Sequence, residues 1–204
     1  RYNSGMPIAD SGAAFARLLT ALVDAYPRPV DDIVLIGHSM GGLVIRSACQ
    51  VGAQNNATWL SRIRHAFYLG TPHDGADLER FAQGATVAMT SSRNPITRLL
   101  GRMLDVRSAG VRDLHDGEAG AAIGSPGTQP PLPWLATARH HRLVGTLTKD
   151  PRHPVSQAFG DGLVRVPEGA TPGEAHPDVT VFPGVHHMQL PRDPALYAAI
   201  LAAV

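Results

Sequence analysis

A serine set between glycines is the feature of this sequence best suited to chemistry. The segment GHSMG, residues 37–41, places Ser39 two residues after one glycine and two residues before another. In a nucleophile elbow, the serine occupies a strained turn from a strand into a helix, and side chains at those two positions must be nearly absent. The spacing therefore predicts that Gly37 and Gly41 serve the turn and that the Ser39 hydroxyl is presented for nucleophilic attack.

The residues on either side of Ser39 favour such a turn. Residues 32–36 (DIVLI) form a short apolar run rich in β-branched side chains, which is typical of a strand covered on both faces in a parallel sheet. A helix is expected from about residue 40 to residue 51. The backbone N–H of Met40 would then point to where an oxyanion forms, at a helix N-terminus that favours negative charge. We expect His38 to pack beneath the turn.

A serine hydroxyl needs a general base to remove its proton. In enzymes with this elbow, an acid and then a histidine follow the serine along the chain. The histidine is expected after the last strand, where His186 and His187 both qualify and the residues alone leave the choice open. For the acid, Asp161 lies between two glycines in a loop that can present a carboxylate, whereas Asp150 precedes a proline and is typical of a turn.

The elements that must position these residues alternate along the chain. Further strands are predicted at 65–70, 141–148 and 178–182, and helices at 10–26 and 194–204, with Asp10 or Ser11 capping the first helix. Alternating strands and helices indicate an α/β fold with a parallel sheet. Residues 76–140 break the alternation and are expected to form a lid-like helical insertion within a single domain, 1–204.

Composition excludes several classes of protein. The chain has 204 residues and a net charge of +1 with no basic run, which argues against nucleic-acid binding. Its apolar runs fall short of the roughly 18 residues that span a bilayer. Cys49 is the only cysteine, so an internal disulfide is impossible and the compartment is left open, with the cytoplasm favoured. No spacing of histidines indicates a metal site.

Several segments together resemble bacterial α/β-hydrolase esterases and lipases that are related to the hydrolase domain of GPI inositol deacylases. The resemblance covers nearly all of the chain. The segments that carry it are GHSMGGLVIR, YLGTPHDGADLER, RSAGVRDLHDG, GDGLVRVP and PGVHHMQLPRDPALYAAI.

The resemblance implies a fold, an activity and roles for particular residues. The fold would be that of the α/β hydrolases, a mostly parallel sheet with helices on both faces and a helical lid. Ser39 matches the nucleophile and Asp161 the acid. The base matches His187, which precedes an apolar residue in the family's GV-x-H-apolar-x-L pattern. The implied activity is cleavage of a small-molecule ester or lipid without cofactor or metal, and His73 and Asp74 match a structural segment without a catalytic role.

The front of the chain departs from the family. Strands that precede the segment matching Arg1 have no counterpart here, nor does the loop that supplies a second oxyanion N–H, so we expect an N-terminally truncated domain. Two alternatives stay open: a hydrolase-like fragment that binds a lipid or a partner without catalysis, and another acyl hydrolase such as a thioesterase or amidase. The sequence gives neither the headgroup, the acyl length nor the oligomeric state.

Overall fold

The structure is a computed structural model and describes residues 6–73, 134–167 and 178–204. Within these ranges the chain forms one four-stranded sheet in which neighbouring strands are parallel and follow chain order. The strands are β1 (Ile33–His38), β2 (Ile63–Leu69), β3 (Arg139–Gly145) and β4 (Asp178–Phe182). The predicted α/β fold with a parallel sheet is therefore confirmed. Most of the predicted insertion, residues 76–133, lies outside the described residues.

Helices cover both faces of this sheet. They are α1 (Ile8–Ala25), α2 (Met40–Gln54), α3 (Pro154–Phe159) and α4 (Pro194–Ala203), with short 3-10 helices at Thr58–Arg62 and Leu190–Arg192. α1 and α2 pack against each other and against one face, whereas α4 packs on the other face. None of the helices in the described ranges is both long enough and apolar enough to cross a bilayer.

Alternation along β2 divides the core between the two faces. Ala66 and Tyr68 belong to the cluster packed with α1 and α2, while Phe67 and Leu69 pack with Leu143 of β3 and with α4. Successive side chains of a strand point to opposite faces, so a strand that is apolar throughout must be covered on both sides. This is why residues 66–69 (AFYL) appear as a continuous apolar run in the sequence.

The first helix begins earlier than its sequence predicts. Its N-cap is Pro7, which makes no capping bond through its side chain, so the predicted caps at Asp10 and Ser11 are wrong. Asp10 instead lies in the first turn, where its negative charge interacts favourably with the N-terminal end of the helix dipole. Ser11 lies within the helix and is buried from solvent, and its N–H donates to the Pro7 carbonyl at 3.0 Å.

Strand β1 forms one edge of the described sheet. A cleft of about 550 Å³ lies between this edge and α1, with Phe15, Leu18 and Ile36 in its lining. On the face that α1 and α2 leave open, Val34 is 37% exposed and Ile36 is 54% exposed. Leu35, which faces α1 and α2, is only 6% exposed. The cleft reaches Gly37 and His38, so it adjoins the turn that carries Ser39.

Candidate active site

Ser39 occupies the predicted strained turn between β1 and α2. Its backbone angles are φ 56° and ψ −131°, a conformation that non-glycine residues rarely adopt. Three hydrogen bonds fix this backbone: Ser39 N–H donates to the Leu69 carbonyl at 2.8 Å, and the Ser39 carbonyl accepts from Gly42 N–H at 3.1 Å and from Thr71 Oγ1 at 3.0 Å. Strain of this kind persists only where its surroundings enforce it. The serine itself is half-buried, so a substrate can reach it.

Two of the three glycines around Ser39 are required by close approach. A Cβ on Gly37 would lie 2.7 Å from the Gly42 nitrogen, and a Cβ on Gly42 would lie 2.7 Å from Cγ2 of Thr71. Gly41 differs, because a Cβ there would meet no described atom within 4 Å. The expectation that crowding explains Gly41 is therefore not met. The tight contact between α2 and the segment after β2 falls one residue later, at Gly42.

Asp161 and His187 form a buried hydrogen-bonded pair. His187 Nδ1 donates to Asp161 Oδ2 at 2.8 Å, and the exposed fractions of the two side chains are 5% and 0%. The second carboxylate oxygen, Oδ1, accepts from Leu163 N–H at 2.9 Å and from Val164 N–H at 2.8 Å. These bonds set the orientation of the carboxylate. Because a carboxylate only accepts, the imidazole carries a proton on Nδ1, the nitrogen that faces Asp161. The ring nitrogen left for a reacting partner is Nε2.

The alternatives to this pair lie elsewhere. His186 is exposed, and its carbonyl accepts bonds from Gln189 and Leu190 in the turn that follows. Asp150 is also exposed, and its Oδ1 accepts the Arg152 N–H at 2.9 Å in a local turn. The sequence-based reading of Asp150 as a turn residue is thereby confirmed. Of the four candidates, His187 and Asp161 are the two that contact each other.

Gly70 connects the serine turn with this pair. It follows Leu69, the residue whose carbonyl binds Ser39 N–H, and it has a left-handed φ of 54°. A Cβ at this position would lie 2.8 Å from Asp161 Oδ2 and 2.9 Å from His187 Nδ1. The backbone at the end of β2 thus contacts the Ser39 turn through Leu69 and lies against the Asp161–His187 pair at Gly70.

His38 makes a second connection, through its side chain. Its Nε2 lies 3.0 Å from the carbonyl oxygen of His187, and the two imidazole rings are 4.8 Å apart. The expectation that His38 packs beneath the turn left out this contact. Burial first, and then the charge of His187, lower the pKa of His38 below its ordinary value.

A second cluster of polar side chains joins α2 to the segments that follow β2 and precede β3. Arg46 stacks on Trp134 at 4.3 Å from the ring centre, and its NH1 contacts Nδ1 of His73 at 3.3 Å. Burial, and next the charge of Arg46, hold the pKa of His73 well below its ordinary value. Burial also raises the pKa of the nearby Cys49 thiol to about 12, so this cysteine is a neutral thiol near pH 7. Among the described residues, no three potential metal ligands lie together.

Sequence reasoning overlooked two residues near the site, Gly70 and Thr71. Both follow β2 in the segment GTP, and a glycine at the end of the predicted buried strand 65–70 was the available signal. Thr71 binds the Ser39 carbonyl, while Gly70 leaves room for the pair described above. Their contacts are with residues 30 to more than 100 positions away, so local pattern could not reveal them.

Comparison with known proteins places the chain in a family. A sequence model of the alpha/beta hydrolase family matches residues 4–200. No curated protein matches the chain. Among solved structures, a proline iminopeptidase from Mycobacterium smegmatis aligns with 100% of this chain and 74% of its own, at 16% identity and a TM-score of 0.43, a likeness too weak to bear on activity. Because the family match spans almost the whole length, the chain is a member of the alpha/beta hydrolase family.

Proposed function

We propose that this hydrolase cleaves carboxylic esters through an acyl-enzyme intermediate, with Ser39 as nucleophile, His187 as general base and Asp161 as its orienting acid. The observation that carries the proposal is the buried contact of 2.8 Å between His187 Nδ1 and Asp161 Oδ2. A buried carboxylate bound to one nitrogen of an imidazole fixes the tautomer and stabilises the protonated ring. Gly70 and His38 bring this pair next to the serine turn.

In the first half-reaction, the oxygen of Ser39 attacks the ester carbonyl carbon while its proton passes to Nε2 of His187. The charge that develops on the ring is offset by Asp161. Collapse of the tetrahedral intermediate breaks the bond to the alcohol, which leaves with the proton from His187. The acyl group remains on Ser39.

In the second half-reaction, water replaces the alcohol. Nε2 of His187 accepts a proton from the water as its oxygen attacks the acyl carbon, and the proton then returns to Ser39 as the carboxylic acid departs. The negative oxygen formed in both halves is expected to accept the N–H of Met40. This N–H is among the first of α2, and the first amides of a helix have no partner within it.

The test is active-site labelling combined with turnover. We expect wild-type protein to form a covalent adduct with a fluorophosphonate probe, to hydrolyse a short-chain p-nitrophenyl ester, and to show a burst of nitrophenol when acylation outruns deacylation. Ser39→Ala should abolish the adduct and nearly all turnover. Ser61→Ala is the matched control, because Ser61 lies in the 3-10 helix before β2 and its hydroxyl donates to the local Thr58 carbonyl at 3.1 Å.

The same assay distinguishes ester cleavage from its alternatives. A thioester and an anilide of the same acyl group are supplied beside the ester, because the three catalytic groups can act on any of them. Faster turnover of the anilide or thioester would replace the ester assignment while keeping the roles of the three residues. Labelling and turnover that survive in Ser39→Ala would overturn the proposal, as would a folded wild-type protein that neither labels nor turns over any of the three substrates.

A further inference from the structure

We propose that His38 is a positioning residue, which holds His187 in register with Ser39 by donating a hydrogen bond from its side chain to the His187 main chain. This inference rests on the proposed function, because it assigns a role beside the same base. It concerns a residue directly before the nucleophile in sequence.

This hydrogen bond connects the strand that leads to Ser39 with the loop that carries His187. His38 closes β1, and its Nε2 lies 3.0 Å from the carbonyl oxygen of a residue 149 positions later in the chain. Since a carbonyl only accepts, the hydrogen must belong to His38 Nε2. The side chain next to the candidate nucleophile is thus bonded to the main chain of the candidate base. A movement of the loop that carries His187 would have to break this bond.

His187 has its other main-chain group fixed as well. Its N–H donates to the Asp161 carbonyl at 3.0 Å, and its ring donates to the Asp161 carboxylate at 2.8 Å. These two bonds tie His187 to the acid. Neither ties it to the serine turn. The bond from His38 supplies that link, and it would set the distance between Ser39 and the ring more closely than packing alone. Misplacement by 1 Å can cost about a hundredfold in rate.

The environment of His38 suits a neutral donor. The residue is half-buried, and burial lowers its pKa, with the charge of His187 as the next cause. A neutral imidazole with its proton on Nε2 can bind the carbonyl without placing a second positive charge 4.8 Å from the ring that becomes protonated in the reaction. Its Nδ1 then remains an acceptor.

Two substitutions separate the hydrogen bond from the volume of the side chain. His38→Gln places an amide N–H close to the position of Nε2, and His38→Met has similar reach without a donor. We expect His38→Met to lower kcat by about ten- to a hundredfold with little change in KM, because geometry rather than substrate binding is lost. His38→Gln should stay within about threefold of wild type, since the bond to the carbonyl is retained. His38→Phe serves as a second variant without a donor if His38→Met fails to fold.

A spectroscopic measurement tests the positioning independently of turnover. The proton between His187 and Asp161 should give a low-field proton resonance that is absent from Asp161→Asn. We expect this resonance in wild type and His38→Gln, and a change in its chemical shift in the donor-free variants at unchanged thermal midpoint, because the His187 main chain that carries the ring has lost its bond to His38. Donor-free variants with wild-type kcat and resonance, or a His38→Gln variant as impaired as His38→Met, would overturn the inference. Failure of the proposed function would appear instead as turnover in Ser39→Ala, with the resonance comparison still valid.

Discussion

Asp161 and His187 contact each other through side chain and main chain at once. The ring donates to the carboxylate at 2.8 Å, and the His187 N–H donates to the Asp161 carbonyl at 3.0 Å. A pair held at two points can rotate little about either contact. The orientation of the imidazole is therefore fixed before any substrate arrives, which is what preorganised catalysis requires.

Loss of the Asp161 charge should impair catalysis far more than folding. Asp161→Asn keeps the shape and an oxygen that can accept the Leu163 and Val164 amides. It removes the charge that stabilises protonated His187, and the equivalent change in a serine protease lowers kcat by about 10⁴. We expect a fall of about three to four orders of magnitude in ester turnover. Asp150→Asn, at an exposed turn, is the control and should leave turnover within about twofold of wild type. Similar rates for the two variants would contradict the role given to Asp161.

The two adjacent histidines should differ sharply in importance. His187→Ala removes the proposed base and should reduce kcat nearly as far as Ser39→Ala, because such residues act as a unit. His186→Ala removes an exposed ring and should lower kcat by no more than about threefold. Steady-state turnover of the activated ester compares them directly. If His186→Ala were as inactive as His187→Ala, the assignment of the base to His187 alone would be wrong.

A methyl group at Gly70 should disturb the pair. Gly70→Ala brings a carbon to within 3 Å of both Asp161 Oδ2 and His187 Nδ1 and also strains a left-handed residue at φ 54°. We expect kcat to fall by at least about tenfold through displacement of the ring. Gly184→Ala shares the conformational strain, with φ 76°, but its nearest contact is a flexible lysine carbon at 3.3 Å. Equal losses of kcat in the two variants would attribute the effect to strain alone.

Stability should decline below neutral pH. Among the residues that the structure describes, four histidines have lowered pKa values, chiefly because of burial: His38, His65, His73 and His140. The unfolded chain then binds more protons below about pH 6.5, so the free energy of unfolding falls as the pH falls through that value. Each histidine that stays neutral in the folded state adds up to about 1.4 kcal/mol per pH unit.

His73 offers a specific check of this pH dependence. His73→Asn cannot take up a proton, yet its side-chain oxygen can accept the bond from Arg46. Urea unfolding at pH 7 and pH 5 should show a smaller decline of the free energy of unfolding in the variant. The slope of this free energy against pH should correspond to up to about one bound proton fewer than in wild type. Parallel declines in wild type and variant would show that His73 does not contribute.

Adjacent residues of β1 should differ in how much stability a polar substitution costs. Ile36 is 54% exposed, so Ile36→Thr should change the free energy of unfolding by about 0.5 kcal/mol or less. Leu35 is 6% exposed, so Leu35→Thr should cost about 2 kcal/mol or more through lost packing and a buried hydroxyl. Urea unfolding measures both effects. Equal destabilisation would contradict the assignment of the two side chains to opposite faces.

The sequence by itself determined the local parts of this structure. Gly37, an apolar run before Ser39 and an apolar helix after it specify the turn, because each acts within a few residues of the serine. The strand at 178–182 was likewise readable from local composition, and the last helix from the proline suited to its first turn. The first helix start was misjudged because Pro7 can begin a helix without a side-chain cap.

Only the tertiary structure decided which side chains meet. His187 rather than His186 faces Asp161, 26 residues away, because the turn after β4 buries one ring and exposes the other. The contact of His38 with the His187 carbonyl spans 149 residues. The tight glycine proved to be Gly42 rather than Gly41, since the crowding comes from Thr71 on another strand's end. Such contacts depend on how strands are ordered and spaced in the sheet, and residue pattern along the chain carries no record of that geometry.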